Sequence, residues 1–261
     1  MISLRRVWTV AERDIRMFLR YKFLLIMRAI WFIAQIALFG LIVNSMFRTD
    51  VQNAVGGSYF NYYAAGIIVT MLYSTAVFIG YDIYEEADHG VIEYLLSVPV
   101  SRKELVLGRS IGGGLRSFLY VGPMMLFVLY LIGVSSVLQL LAALLSLFLF
   151  TFGVSGFSIT LAVSIKSSDR FDILMGVTDA LIVRLSTTLY PIAYMPQYYA
   201  GIALINPLTF AADLFRWGAG IESAAITPPL LAAFGIVAFF SMFTFLGIFL
   251  HERRLEGGGW Q

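Results

Sequence analysis

The sequence contains no cysteine, and only 13% of its 261 residues are charged. The first absence excludes disulfides and thiolate metal sites. The second argues against a soluble domain, which carries about 25% charged residues. There are only two histidines, His89 and His251, and no Ser/His/Asp or Cys/His set, which disfavours a membrane hydrolase. No G-x-x-x-x-G-K-[ST] loop is present, so ATP hydrolysis by that route is excluded. No secretory signal is expected either. The basic N-terminus leads into an apolar run too long for such a signal, without a small-residue cleavage site.

What the chain has in excess is apolar sequence, 59% of its residues. A membrane-spanning helix needs about 20 apolar residues. Runs free of Asp, Glu, Lys and Arg cover 29–47, 51–81, 117–165, 185–212 and 223–250. The third is long enough for two spans, and the fourth is broken by turn residues. The expected fold is all-α integral membrane, with six transmembrane helices at about 23–47, 59–81, 115–133, 138–164, 172–193 and 228–250. These form one transmembrane domain, 23–261, behind an N-terminal helix, 1–22.

In that N-terminal helix Leu4, Val7, Trp8, Ala11, Ile15, Phe18 and Leu19 recur at spacings of three and four. Its arginines lie mostly off the stripe. This suits an amphipathic helix in the headgroup layer; the alternative is a basic flank that only orients span 1. The hydrophilic stretch 82–116 reads as two short helices meeting at Pro99, the second opened by a Ser101/Glu104 capping box. The tract 190–217 holds Pro191, Pro196 and Pro207 among many Tyr and Trp residues, and reads as a short re-entrant or interfacial helical hairpin. With both termini in the cytoplasm, fifteen of the eighteen Lys and Arg residues fall on the inner side.

Few residues invite chemistry. Glu85, Glu86, Asp88 and His89 form an acidic cluster whose spacing is weak evidence for a metal. A solvated helix end or a partner contact explains it as well. Asp179 and Arg184 lie within span 5, Arg184 about twelve residues from its inner end, or roughly 18 Å deep. Buried ionisable groups are costly in a membrane, so this pair either lines a pathway or makes polar contacts in the bundle. Asp213 and Arg216, three apart, suit a structural pair on one helix face. Gly112, Gly113 and Gly114 suit close helix packing.

Three features together resemble the permease subunits of type-2 ABC transporters, including the daunorubicin-type exporters. They are the basic amphipathic N-terminal helix, the stretch EEADHGVIEYLLSVPVSRKELVLGR after span 2, and YPIAYMPQYYAGIALINPLTFAADLFRW before span 6. The resemblance covers nearly the whole chain. It implies a membrane half of an ATP-driven exporter, paired with a second permease chain as homodimer or heterodimer. Two copies of a separate ABC ATPase subunit would bind the cytoplasmic face. ATP and Mg would be bound by that partner, with no cofactor in this chain. It also implies a coupling helix after span 2, with Glu85, Glu86, Gly90, Glu93, Leu95, Leu96, Pro99, Ser101 and Arg102 at or near the ATPase contact. The segment with Pro191, Pro196, Asn206, Pro207, Asp213 and Arg216 would be a re-entrant hairpin closing the outer mouth.

The expected cargo is an amphipathic drug-like molecule or lipid, with a polysaccharide or glycolipid as the nearest rival. A pathway rich in Phe, Met and Leu favours the first, and rings of Tyr and Trp favour sugar. Tyr62, Tyr63, Tyr73, Tyr81, Tyr120 and Tyr130 keep the sugar reading open, lipid contact and packing being the alternative. The outer loop 48–58 is too short for a capture domain. An ion-coupled secondary transporter is a further alternative, but the repeated halves usual in that class are missing.

Overall fold

The structure is a computed structural model that describes residues 2–40, 42, 55, 57–165, 167–221 and 225–256. The described chain is all-helical. Helix α1 (Leu4–Arg20) leads to α2 (Lys22–Ala34), which runs into a π-helical stretch (Gln35–Gly40). Next come α3 (Tyr59–Asp88), α4 (Val91–Ser97), α5 (Arg102–Ile132), α6 (Val137–Ser164) and α7 (Ser168–Arg184). A 3-10 turn (Ile192–Tyr194), α8 (Gln197–Ala203), α9 (Pro207–Gly218) and α10 (Pro229–Glu256) complete the chain. The short outer loop expected at 48–58 falls largely outside the described residues.

Among the described residues four helices, α3, α5, α6 and α10, are long and apolar enough to cross a membrane. The most apolar stretch of α3 is 83% buried and that of α10 only 17%, so α3 is the axis of the bundle and α10 its rim. Helix α3 packs on α5, α6 and α9, while α6 also carries α10 and α9. In lipid there is no hydrophobic drive between helices, so small residues and hydroxyls must bring backbones together. The α3–α6 seam follows that rule. Ser155 and Ser158 donate to the carbonyls of Ala76 and Val77, at 3.3 and 2.6 Å. The α6–α10 seam is aromatic instead: Phe152 meets Phe240 and Phe157 meets Phe243 at 4.6 and 4.8 Å between centroids.

Helix bounds differ from the sequence expectation in two places. The Ser101/Glu104 capping box is present, but its helix is not short: α5 continues unbroken into the third span. The fifth apolar segment ends as helix at Arg184, where a span to 193 was expected, and the chain beyond is irregular as far as Pro191. The reason is local. Ser186, Thr187 and Thr188 are fully buried, and side chains satisfy their polar groups: the hydroxyls of Ser186 and Thr188 bond each other, while the Thr187 N–H donates to Thr209 and its carbonyl accepts from Arg216, both on the helix Pro207–Gly218.

Candidate functional site

At one end of the bundle α1 lies along α5. Val7, Val10, Ala11, Asp14 and Phe18 are buried there. A Cβ at Gly112 would sit 3.2 Å from Ala11 Cα and 3.1 Å from Asp14 Cβ, so the glycine permits the close approach. The apolar stripe read from the sequence is thus split: Val7, Ala11 and Phe18 face α5, whereas Leu4, Trp8 and Leu19 remain exposed.

Charges lock this contact. Glu86, near the end of α3, accepts from both Arg13 of α1 and Arg109 of α5. Asp82, one turn earlier, pairs with Arg116, whose guanidinium lies 5.1 Å over the Phe18 ring. Glu104 accepts from the backbone N–H of Ser3 at 2.6 Å and of Ser101 at 2.8 Å, so it ties the start of α1 to the start of α5. Asp14 is buried 3.3 Å from Arg13, and burial pushes its carboxyl up to about 6 against the pull of Arg109 and Arg13. The sequence counted these arginines for orientation and missed their convergence on Glu86 and Asp82.

The residues expected at an ATPase contact separate into two groups. Glu86 is turned inward and neutralised within the chain. Glu85 is exposed and accepts from Tyr21 at 3.3 Å. Gly90 takes φ 68°, a left-handed turn that starts α4 without strain. Glu93, Leu95 and Leu96 lie on α4, with Leu95 half-buried. Tyr94, not singled out in the sequence, is 68% exposed on the same helix. Pro99 and Ser101 are exposed in the link to α5, and Arg102 is half-buried at its first turn.

A groove of about 720 Å³ opens between α2, α3 and α7. Asp179 and Arg184 both line it, together with Trp31, Tyr63, Tyr120 and Thr75. Its second compartment, about 660 Å³, shares Tyr59, Ala180, Arg184 and Tyr190 with the first. That compartment continues past Pro191 to Tyr194, Pro196 and Tyr199. Of the tyrosines noted in the sequence, Tyr63 and Tyr120 face the groove. Tyr62 and Tyr73 are core, Tyr81 lines a cavity beside α1, and Tyr130 is exposed.

Within the core Asp213 and Arg216 pair as the spacing suggested, at 3.4 Å, but their role is larger. Arg216 is fully buried, stacks 3.6 Å from the Tyr62 ring centroid, and donates to the carbonyls of Thr187, Thr188 and Tyr62. Asp213 accepts from the N–H groups of Ile226 and Thr227. Asn206 caps α9 by accepting from Leu208 and donates its amide to the carbonyls of Ile182 and Leu185 at the end of α7. Pro207 follows as the first residue of α9, and Pro191 and Pro196 open the 3-10 turn and α8.

The family model described as "ABC-2 type transporter" matches residues 5–220. The chain is also 25% identical over 162 residues to "Putative transport permease ycf38" of Cyanophora paradoxa. That match covers 61% of this chain and 56% of the relative, so the chain aligns with little more than half of that protein. With the family matched over most of its length and, among the described residues, four helices long and apolar enough to span, the chain is a multi-pass membrane protein that belongs to the ABC-2 type transporter family.

Proposed function

We infer that the chain is the membrane-spanning permease of a type-2, daunorubicin-like ABC exporter, moving an amphipathic drug-like or lipid cargo outward. In this reading α2 and α7 complete six spans, and both termini and α4 are cytoplasmic. Helix α1 lies at the inner interface, and α8 with α9 forms the outer hairpin. Two ATPase subunits, which bind ATP and Mg, act on a pair of permease chains. The cargo follows the groove lined by Asp179 and Arg184.

The observation that carries this reading is the placement of α4. It is a seven-residue helix set between Gly90 and the Pro99 link, and it packs chiefly against α3. One turn before it, Glu86 is clamped to α1 and α5. A push on α4 is therefore delivered to three helices at once, as an element that couples a partner to a bundle requires. Basic residues concentrate at this same end of the bundle, which supports a cytoplasmic position.

The test is a pull-down of the purified chain with the soluble ABC ATPase encoded beside it, using Tyr94→Asp on the exposed face of α4. Scrambling the whole stretch 85–104 would also remove Glu86 and Glu104 and so detach α1; the single change avoids that. Capture of the ATPase by the parent chain and its loss in Tyr94→Asp supports the reading. Equal capture by both removes α4 from the contact, and no capture by the folded parent moves the function to a gradient-driven transporter.

A further inference from the structure

A cavity of about 660 Å³ lies between the end of α1, the last turns of α3 and the start of α4. Phe78, Tyr81, Asp82, Glu85 and His89 form its α3 wall; they recur at spacings of three and four, so they share one face. From Phe78 to Glu85 this face runs about 10 Å along the axis. Its character changes on the way. Phe78 and Tyr81 are half-buried rings, and Met17 and Phe18 of α1 add apolar surface opposite. Carboxylates follow at Asp82 and Glu85.

The acids are not equivalent. Glu86 is clamped by Arg13 and Arg109, and Asp82 by Arg116. Glu85 is exposed and takes one hydrogen bond, from Tyr21 at 3.3 Å. A carboxylate has about four acceptor sites, which leaves room for a cation bearing N–H groups. Arg116 offers the opposite feature. It lines the same cavity, is 1% exposed, and has Nε and Nη2 buried without hydrogen-bond partners among the described residues. Charged donors of this kind suit an anionic oxygen. Asp82, which holds Nη1 of Arg116, stands three residues from Glu85, and residues so spaced are neighbours about 5–6 Å apart. A two-carbon arm between an ammonium and a phosphate covers that separation. A simple cation leaves the Arg116 donors unmet, and a simple anion is repelled by Glu85. A water-soluble zwitterion leaves the apolar wall facing water. A phospholipid with a primary-amine headgroup meets all three features.

We propose that this cavity holds the headgroup of a phosphatidylethanolamine-type lipid, with its ammonium on Glu85, its phosphate on Arg116 and the first carbons of its chains along Phe78, Met17 and Phe18. Bound there, the lipid joins α1 to α3 beside the Glu86 clamp. The inference rests on the reading that α1 lies at the inner membrane interface, where such headgroups are found.

The test titrates the delipidated, detergent-solubilised full chain with single compounds, and native mass spectrometry counts the bound molecules. Dioleoyl phosphatidylethanolamine is compared with dioleoyl phosphatidylcholine, whose cation has no N–H, and with dioleoyl phosphatidylglycerol, which has no cation. Oleylamine lacks the phosphate, and phosphoethanolamine lacks the chains. Phosphatidylethanolamine is expected to bind at least roughly tenfold more tightly than each of the others. Glu85→Gln, at an exposed position, is expected to bring it down to the level of phosphatidylcholine. Val91→Trp, which fills the mouth of the cavity, should weaken it as much and replaces Glu85→Gln if that variant fails to fold. Equal binding of either other phospholipid, or a preference untouched by Glu85→Gln, overturns the proposal. So does oleylamine binding as tightly, which marks a site for any amphipathic cation, or phosphoethanolamine binding as tightly, which marks a site for the free headgroup. The ATPase is absent from this measurement, so failed ATPase capture with an intact lipid preference refutes the coupling reading alone.

Discussion

Arg216 donates from Nη2 to the carbonyl of Thr187 at 2.8 Å, across 29 residues of chain, and so anchors α9 to the irregular segment that follows α7. The same guanidinium also reaches the carbonyls of Thr188 and Tyr62 and lies on the Tyr62 ring. Backbone carbonyls freed from a helix within a bundle must be satisfied internally, because lipid offers no donor. Arg216 supplies several donors in one plane, which a lysine does not. Arg216→Lys is therefore expected to lower the thermal midpoint of the detergent-solubilised protein, and Arg216→Leu to lower it further. The loss for the latter is about 3–5 kcal/mol, since Asp213 is left buried without its counter-charge. An unchanged midpoint in Arg216→Leu would remove the anchor role.

Glu86 holds two arginines from two helices, and removing it leaves both without their buried partner. Glu86→Ala is expected to free α1 from α5. Because the chain has no cysteine, a single probe cysteine at Val10, buried against α5, reports this without background. It should resist maleimide in the otherwise native chain and react readily in Glu86→Ala. Equal protection in both would show that apolar contact alone holds α1.

Asp14 makes the same contact pH-dependent. Its carboxyl is raised to about 6 when α1 is docked and returns to its ordinary 3.8 when α1 is released. The docked state then binds the proton more tightly, so Asp14's own contribution to docking is greatest below about pH 4 and falls away as pH rises from about 4 to 6. Above that it is level, with a total change of roughly 3 kcal/mol. Arg13, Arg109, Arg116 and Glu86 face Asp14. A spin label at Thr9 should become more mobile over this range, and Asp14→Asn should flatten the response. A pH-independent signal in the parent chain would show that Asp14 is not desolvated.

Asp179 and Arg184 give a fourth prediction. Arg184→Leu leaves the groove with one uncompensated carboxylate, and transport is expected to fall or the permease pair to dissociate. Flux into vesicles of inverted orientation and size-exclusion chromatography separate the two outcomes. A fully active, correctly assembled variant would take Arg184 out of the pathway.

The sequence alone determined the membrane character, the capping box at Ser101 and Glu104, the close packing at Gly112 and the pairing of Asp213 with Arg216. Each depends on composition or on residues within one turn, where spacing by itself places side chains together. It also marked Asp179 and Arg184, because a charge inside an apolar run is visible as a contrast. Other features were decided by contacts between residues far apart in the chain. Glu86 reads as a solvated acid until Arg13 and Arg109 are brought to it from positions 73 and 23 residues away. The fifth segment reads as helix to 193 until buried Thr187 and Thr188 give their carbonyls to Arg216. The tyrosines read equally as sugar contacts or as lipid contact and packing until the tertiary structure sets Tyr63 and Tyr120 beside one groove and leaves Tyr62 and Tyr73 in the core. A periodicity shows which face of a helix is apolar, but not which neighbour that face meets; in a bilayer, where lipid is as apolar as a partner helix, only packing and polar satisfaction make that choice.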